Sequence, residues 1–146
     1  MSDSTKIIEI EVLRYNPETD KEPSLQVFEV PFTDDMSVLQ GVQYIKDHLD
    51  GSLSFRWSCR MAICGSCGMM INGEPKLSCE TFIRDYYPNR ISIEALAHFP
   101  IEKYLVVDLS GFIEKLEAIQ PYIIPKEART IEQGEYLALM GPSGSG

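Results

Sequence analysis

From residue 7 to 15 the chain reads IIEIEVLRY, with Ile8, Ile10 and Val12 on one face and Glu9 and Glu11 on the other, the pattern of a half-buried strand. Turn residues follow in NPETDKEP, and a second alternating run, QVFEVPF, places Phe28 and Val30 together. The two runs predict an antiparallel hairpin, with Pro31 at its end or edge because proline has no N–H for an interior ladder. From Val38 the period lengthens: Val38, Leu39, Val42, Ile45 and Leu49 recur at helical spacing, and Ser37 with Gln40 is placed as a capping box. Gly41 weakens that helix slightly. Downstream, MMINGEPKLSC carries Asn72-Gly73 as a two-strand turn signal, and ISIEAL predicts a short strand ahead of FPIEKYLVVDL. From Ser110 a second helix is expected, with Phe112, Ile113, Leu116 and Ile119 on one apolar face until Pro121 stops it. Such a stripe calls for a covering surface in this domain, a second domain or a partner.

Composition narrows the class. A chain of 146 residues with 44% hydrophobic residues can furnish one main domain with a sizeable core plus an appendage. No apolar run approaches the length of a bilayer span, and the opening MSDSTK is too polar for a targeting peptide, so no direct membrane insertion is expected. The net charge of −9 argues against nucleic acid and against an anionic lipid surface, although plain solubility is the first explanation of it.

All four cysteines fall in one segment, Cys59-x4-Cys64-x2-Cys67-x11-Cys79. A C-x4-C-x2-C loop with a later fourth cysteine is the spacing of plant-type [2Fe–2S] ferredoxins, which points to electron transfer. Each iron of a two-iron, two-sulfide diamond offers two outer positions, so four thiolates must surround it and the loop must fold back. Gly65 and Gly68 can take backbone angles closed to other residues and let the main chain approach the cluster. With all-thiolate ligation and both irons ferric the assembly carries two negative charges, and reduction makes it three. Backbone N–H groups of Arg60 to Gly68 aimed at sulfur, burial and nearby charge are the levers that stabilise the added electron. The loop is cationic to match: Arg56 and Arg60 flank Cys59, and no acid occurs between Gly51 and Glu74. Two disulfides and a four-cysteine zinc site compete for the same thiols. Disulfides sit poorly with the crowding of Cys64 and Cys67, and zinc sites more often use two separated C-x2-C knuckles, of which one is present.

The run RWSCRMAICGSCGMMINGEPKLSCETFIRDY resembles the iron–sulfur subunit of bacterial fumarate reductases, relatives of succinate dehydrogenase, and EALAHFPIEKYLVVDLSGFIEKLEAIQPYII is similar to the same subunit. The resemblance runs from about Ile7 to Gln133. It implies an α+β fold of β-grasp type (ubiquitin-like, 2Fe-2S ferredoxin-like), a mixed sheet packed on one helix, over residues 1–108. A C-terminal linking helix would occupy 109–133 and an atypical tail 134–146. By the same resemblance Cys59, Cys64, Cys67 and Cys79 each give a thiolate to a [2Fe–2S] cluster. The domain would dock on an FAD-containing flavoprotein subunit and pass single electrons onward, with no bond-making chemistry and no catalytic residue of its own. A place on the cytoplasmic side of the inner membrane, as a peripheral complex subunit, is also implied. Members of that family continue into a second domain whose cysteines hold [4Fe–4S] and [3Fe–4S] centres and lead to quinone and membrane anchors. None of those cysteines is in this sequence, so quinone contact is not expected of this chain. A free ferredoxin-like carrier is the alternative.

Single residues carry smaller expectations. Arg56 and Arg60 are candidates to raise the cluster potential, Trp57 to shield it or simply to pack, and Ser58 and Ser66 to donate to sulfur or to local turns. His48 and His98 lack metal-like spacing, which disfavours a Rieske-type site, and His98 reads as structural. Met61, Met69 and Met70 suit apolar packing or a subunit contact. Ile63, at the loop tip, is the candidate for an exposed apolar residue facing the flavoprotein. The terminal GPSGSG fits the opening of a phosphate-binding loop but lacks its Lys and Ser/Thr, so no nucleotide site is expected. A Gly/Ser linker or cloning remnant competes with a fused fragment, and either tail should be disordered or weakly docked.

Overall fold

The computed structural model describes residues 6–124. Strands β1 (Lys6–Arg14) and β2 (Ser24–Phe32) form the expected hairpin, paired antiparallel with Ile10 opposite Phe28. Helix α1 (Val38–Tyr44) follows, then β3 (Gly68–Ile71), β4 (Glu74–Leu77), β5 (Ile91–Glu94), a small β6 (Ile101–Lys103) and β7 (Val106–Val107) hairpin, and α2 (Ser110–Ala118). The main sheet has the order β2-β1-β5-β3-β4, with β1 and β5 parallel and every other neighbouring pair antiparallel. One helix over such a mixed sheet is a β-grasp fold, in agreement with the sequence reading. Pro31 lies in the edge strand β2, the position in a sheet where a residue without an N–H is tolerated.

The core forms where the alternating faces meet the helix. Ile8, Ile10 and Val12 of β1, Val30 and Phe32 of β2, Met69 and Ile71 of β3, and Ile91 and Ile93 of β5 join Val38, Val42 and Ile45 in one buried cluster. The Ser37 hydroxyl accepts the Gln40 N–H at 3.3 Å and the Gln40 side-chain oxygen accepts the Ser37 N–H at 2.9 Å, so the capping box is formed. Gly41 has a packing role: a Cβ there would come within 3.0 Å of Ile10 Cδ1 and 3.1 Å of Ile83 Cδ1. Absence of a side chain lets α1 sit close on the sheet.

One expectation is corrected. Leu49 was expected on the buried helix face and is 47% exposed, because α1 passes into a π-helical turn over Ile45–Leu49, closed by the Asp50 N–H on the Ile45 carbonyl at 2.7 Å. The wider turn rotates less per residue, so the phase falls behind and Leu49 swings outward. On α2, Phe112, Ile113, Leu116 and Ile119 are 38–72% exposed among the described residues, with an edge contact from Phe99 to Phe112 at 6.2 Å, so the surface that would cover the stripe is not among them. The tail with GPSGSG lies outside the described residues. Among the described residues no helix is long and apolar enough to cross a membrane.

Candidate metal centre

The β3–β4 hairpin sets the second half of the cysteine constellation. Asn72 and Gly73 both take left-handed backbone angles, φ 49° and 79°, as a tight two-residue turn requires. That turn pairs Gly68 with Leu77, which places Cys67 and Cys79 together just beyond the open end of the ladder. Ser78 fixes them: its N–H and hydroxyl both donate to the Cys67 carbonyl, at 3.2 and 2.9 Å, in a fully buried position. The Cys67 and Cys79 thiols lie side by side, close enough to act on each other electrostatically.

The loop from Cys59 to Cys67 supplies the other pair. Arg60 and Ala62 adopt φ 58°, an angle that costs a non-glycine residue about 1–2 kcal/mol. Together with Gly65 at φ 74° they turn successive N–H groups toward sulfur, the backbone arrangement that makes an anion-binding nest. The N–H groups of Met61 and Cys64 donate to Cys59 Sγ at 3.4 and 3.3 Å, and those of Cys59 and Ser66 donate to Cys64 Sγ at 3.5 and 3.4 Å. Gly68 departs from expectation, since its φ is not in the left-handed region; it is required for close approach, because a Cβ would stand 3.3 Å from the Gly65 carbonyl oxygen.

The electrostatics differ between the pairs. Exposed Cys64 is held down to about 6 by the Cys59 N–H first, then by the Ser66 hydroxyl and N–H, all of which favour the thiolate. Cys79 is pushed up by burial and by its contacts with Cys67, against the pull of the Ala62 N–H. All four cysteines are free, with Cys67 buried and Cys64 exposed. They stand as two pairs: among the described residues no group of three or more His, Cys, Asp or Glu side chains is gathered to hold a metal ion. Two thiol pairs facing a cradle of N–H donors fit a diamond with two positions on each iron, and the donors fit its negative charge.

Other candidates resolve individually. Ser66 does donate to sulfur, through its N–H, while Ser58 stays exposed. Trp57 is 41% exposed and carries the Arg60 guanidinium over its ring at 4.3 Å. Arg56 does not stand as an isolated cation: Glu102 of β6 lies 3.4 Å from it, an acid that local sequence could not place there. His48 stacks on Tyr44 with ring centroids 4.4 Å apart. Met69 is core, Met61 is 66% exposed, and Ile63 at 77% is the exposed tip that was expected. Ser78 and Glu102 were missed. Ser78 carried one faint signal, its place next to Cys79, and Glu102 carried none.

Residues 9–114 match the family model described as a 2Fe-2S iron-sulfur cluster binding domain. The fumarate reductase iron-sulfur subunit of Haemophilus influenzae is 59% identical over 129 residues, which cover 88% of this chain and 50% of that protein. The corresponding subunit of Mycobacterium tuberculosis is 52% identical over 129 residues, covering 88% of this chain and 52% of its own. Among solved structures, a chain of the Mycobacterium smegmatis Sdh1 complex in the apo form superposes with a TM-score of 0.77 at 28% identity, covering 93% of this chain and 55% of that one. The chain thus spans about half the length of the curated relatives it matches. With the paired thiols and the N–H cradle, these similarities place the chain in the 2Fe-2S iron-sulfur cluster binding domain family, with a [2Fe–2S] cluster as its cofactor.

Proposed function

We propose that this chain is the [2Fe–2S] electron-transfer portion of a fumarate reductase or succinate dehydrogenase iron–sulfur subunit, with Cys59, Cys64, Cys67 and Cys79 as ligands. The supporting observation is the arrangement of the cysteines in two pairs, Cys59 with Cys64 and Cys67 with Cys79, under inward N–H groups. A bound [2Fe–2S] cluster supplies one-electron acceptance and release. The chain's own residues do the rest. The N–H groups of Met61, Cys64 and Ser66 offset negative charge on sulfur, buried Ser78 keeps Cys67 and Cys79 in register, and the loop holds the site near the surface, within reach of a partner.

The partner on this reading is an FAD-containing flavoprotein subunit, contacted through the apolar loop tip at Met61 and Ile63, 66% and 77% exposed. Apolar exposure beside the centre favours a lasting dry contact over the salt-sensitive encounters of a free ferredoxin-like carrier. Membrane anchors would be engaged through a part of the subunit that this chain does not span, on the cytoplasmic side of the membrane. Single Cys→Ser replacements test the ligand set: each is expected to lose or strongly alter iron content and visible absorption. Full retention of both in any one of the four variants would remove that cysteine from the set.

A further inference from the structure

The irregular segment that leads into Cys59 carries a charge pair that the ligand set does not explain. Arg56 lies three residues before the first cysteine and lines a cavity of about 130 Å³ together with Gly65 and Ser66 of the cysteine loop. Its Nη2 stands 3.4 Å from Glu102 Oε2, a contact across 46 residues of sequence, and both side chains are about half exposed (47% and 51%). Asp108 is a second acid near the same guanidinium: its carboxyl is held below the usual range by the Ser110 hydroxyl and N–H, and also by Arg56. Arg60 is placed differently, with its guanidinium over the Trp57 ring rather than beside a carboxylate. Of the two arginines that flank Cys59, therefore, one is matched by acids and the other lies on an aromatic face.

We propose that Glu102 is a positioning residue for the redox centre: by pairing with Arg56 beside the cysteine loop, it cancels part of the local positive field and keeps the reduction potential lower than the two arginines alone would set it. Reduction adds one electron, taken from a chemical reductant of the dithionite class, and no bond forms or breaks. The added negative charge is stabilised by nearby positive charge, so the paired and unpaired states of Arg56 bind that electron differently. The half-exposed setting makes the effect modest and sensitive to salt.

The test is the midpoint potential of the cluster-loaded full chain, titrated with mediators and read by paramagnetic resonance, for Glu102→Gln, Arg56→Gln and the double variant. Glu102→Gln is expected to raise the reduced-to-oxidised ratio about twofold at a fixed solution potential, about 18 mV at roughly 59 mV per tenfold, the size of one screened charge about 10 Å away. Glu102→Lys should raise it further. Arg56→Gln should lower the ratio, since it leaves Glu102 unmatched, and the double variant should return close to the parent. The shifts should shrink in high salt. A potential unmoved or lowered in Glu102→Gln, with colour and melting temperature intact, would overturn the assignment. The inference rests on the cluster lying among the four cysteines, and the two failures differ: loss of colour in the parent chain strikes the ligand set, whereas a coloured protein with an unmoved potential strikes Glu102.

Discussion

The sheet and the cysteine loop keep their shapes by different means. On β1 the inward residues Ile8, Ile10 and Val12 are exposed by 2% or less, while on the loop Trp57, Met61 and Ile63 are exposed by 41–77%. The sheet is ordered by burial, which rewards any residue of suitable size and pattern. Little is buried in the loop, whose shape comes from N–H groups converging on sulfur through left-handed residues. The loop therefore needs its metal in a way the sheet does not. That division suits an electron carrier: a rigid platform underneath, and near the surface a centre that another redox group can approach.

The sharpest way to separate the two regions is a cavity under the loop's platform. Ile10→Ala should cost about 2–5 kcal/mol of folding stability, read from denaturant unfolding, while the visible spectrum of the loaded protein stays as it was. A changed spectrum with unchanged stability would reverse the division. Ala62→Val asks the converse question. A β-branched residue at φ 58° adds strain to what Ala62 already bears, so the cluster should be lost faster to a chelator, whereas Ala62→Gly should hold it as well as the parent. Removing the cap with Ser37→Ala should cost about 1 kcal/mol of stability and leave cluster retention unaltered. Least of all should Ile63→Asp disturb the fold, within about 0.5 kcal/mol, because the side chain is exposed. Its predicted effect is weaker assembly with the proposed flavoprotein partner in a pull-down of purified components, and unchanged assembly would discard Ile63 as a docking residue.

Much of the platform was legible in the chain because its order is local and periodic. Alternation gave β1 and β2, the Ser37–Gln40 spacing gave the start of α1, and Asn72-Gly73 gave the turn that brings Cys79 back beside Cys67. The cysteine spacing pointed to the [2Fe–2S] cofactor that the family match supports. What could not be read depended on contacts distant in sequence or on small changes of phase. The π-helical turn that exposes Leu49 follows from no composition rule, Gly41 is explained only by Ile10 and Ile83 above it, and Glu102 reaches Arg56 across 46 residues. The cationic character expected of the loop was a statement about neighbours in sequence. The structure adds a neighbour in space.

The most direct test of the whole account is the paramagnetic resonance spectrum of the loaded chain before and after dithionite, with iron and sulfide counted on the same sample. The account predicts a silent oxidised protein that on reduction shows a [2Fe–2S] signal of about one spin per chain, with about two irons and two sulfides. A colourless protein that holds one zinc, or iron without sulfide, and gives no signal on reduction would contradict it.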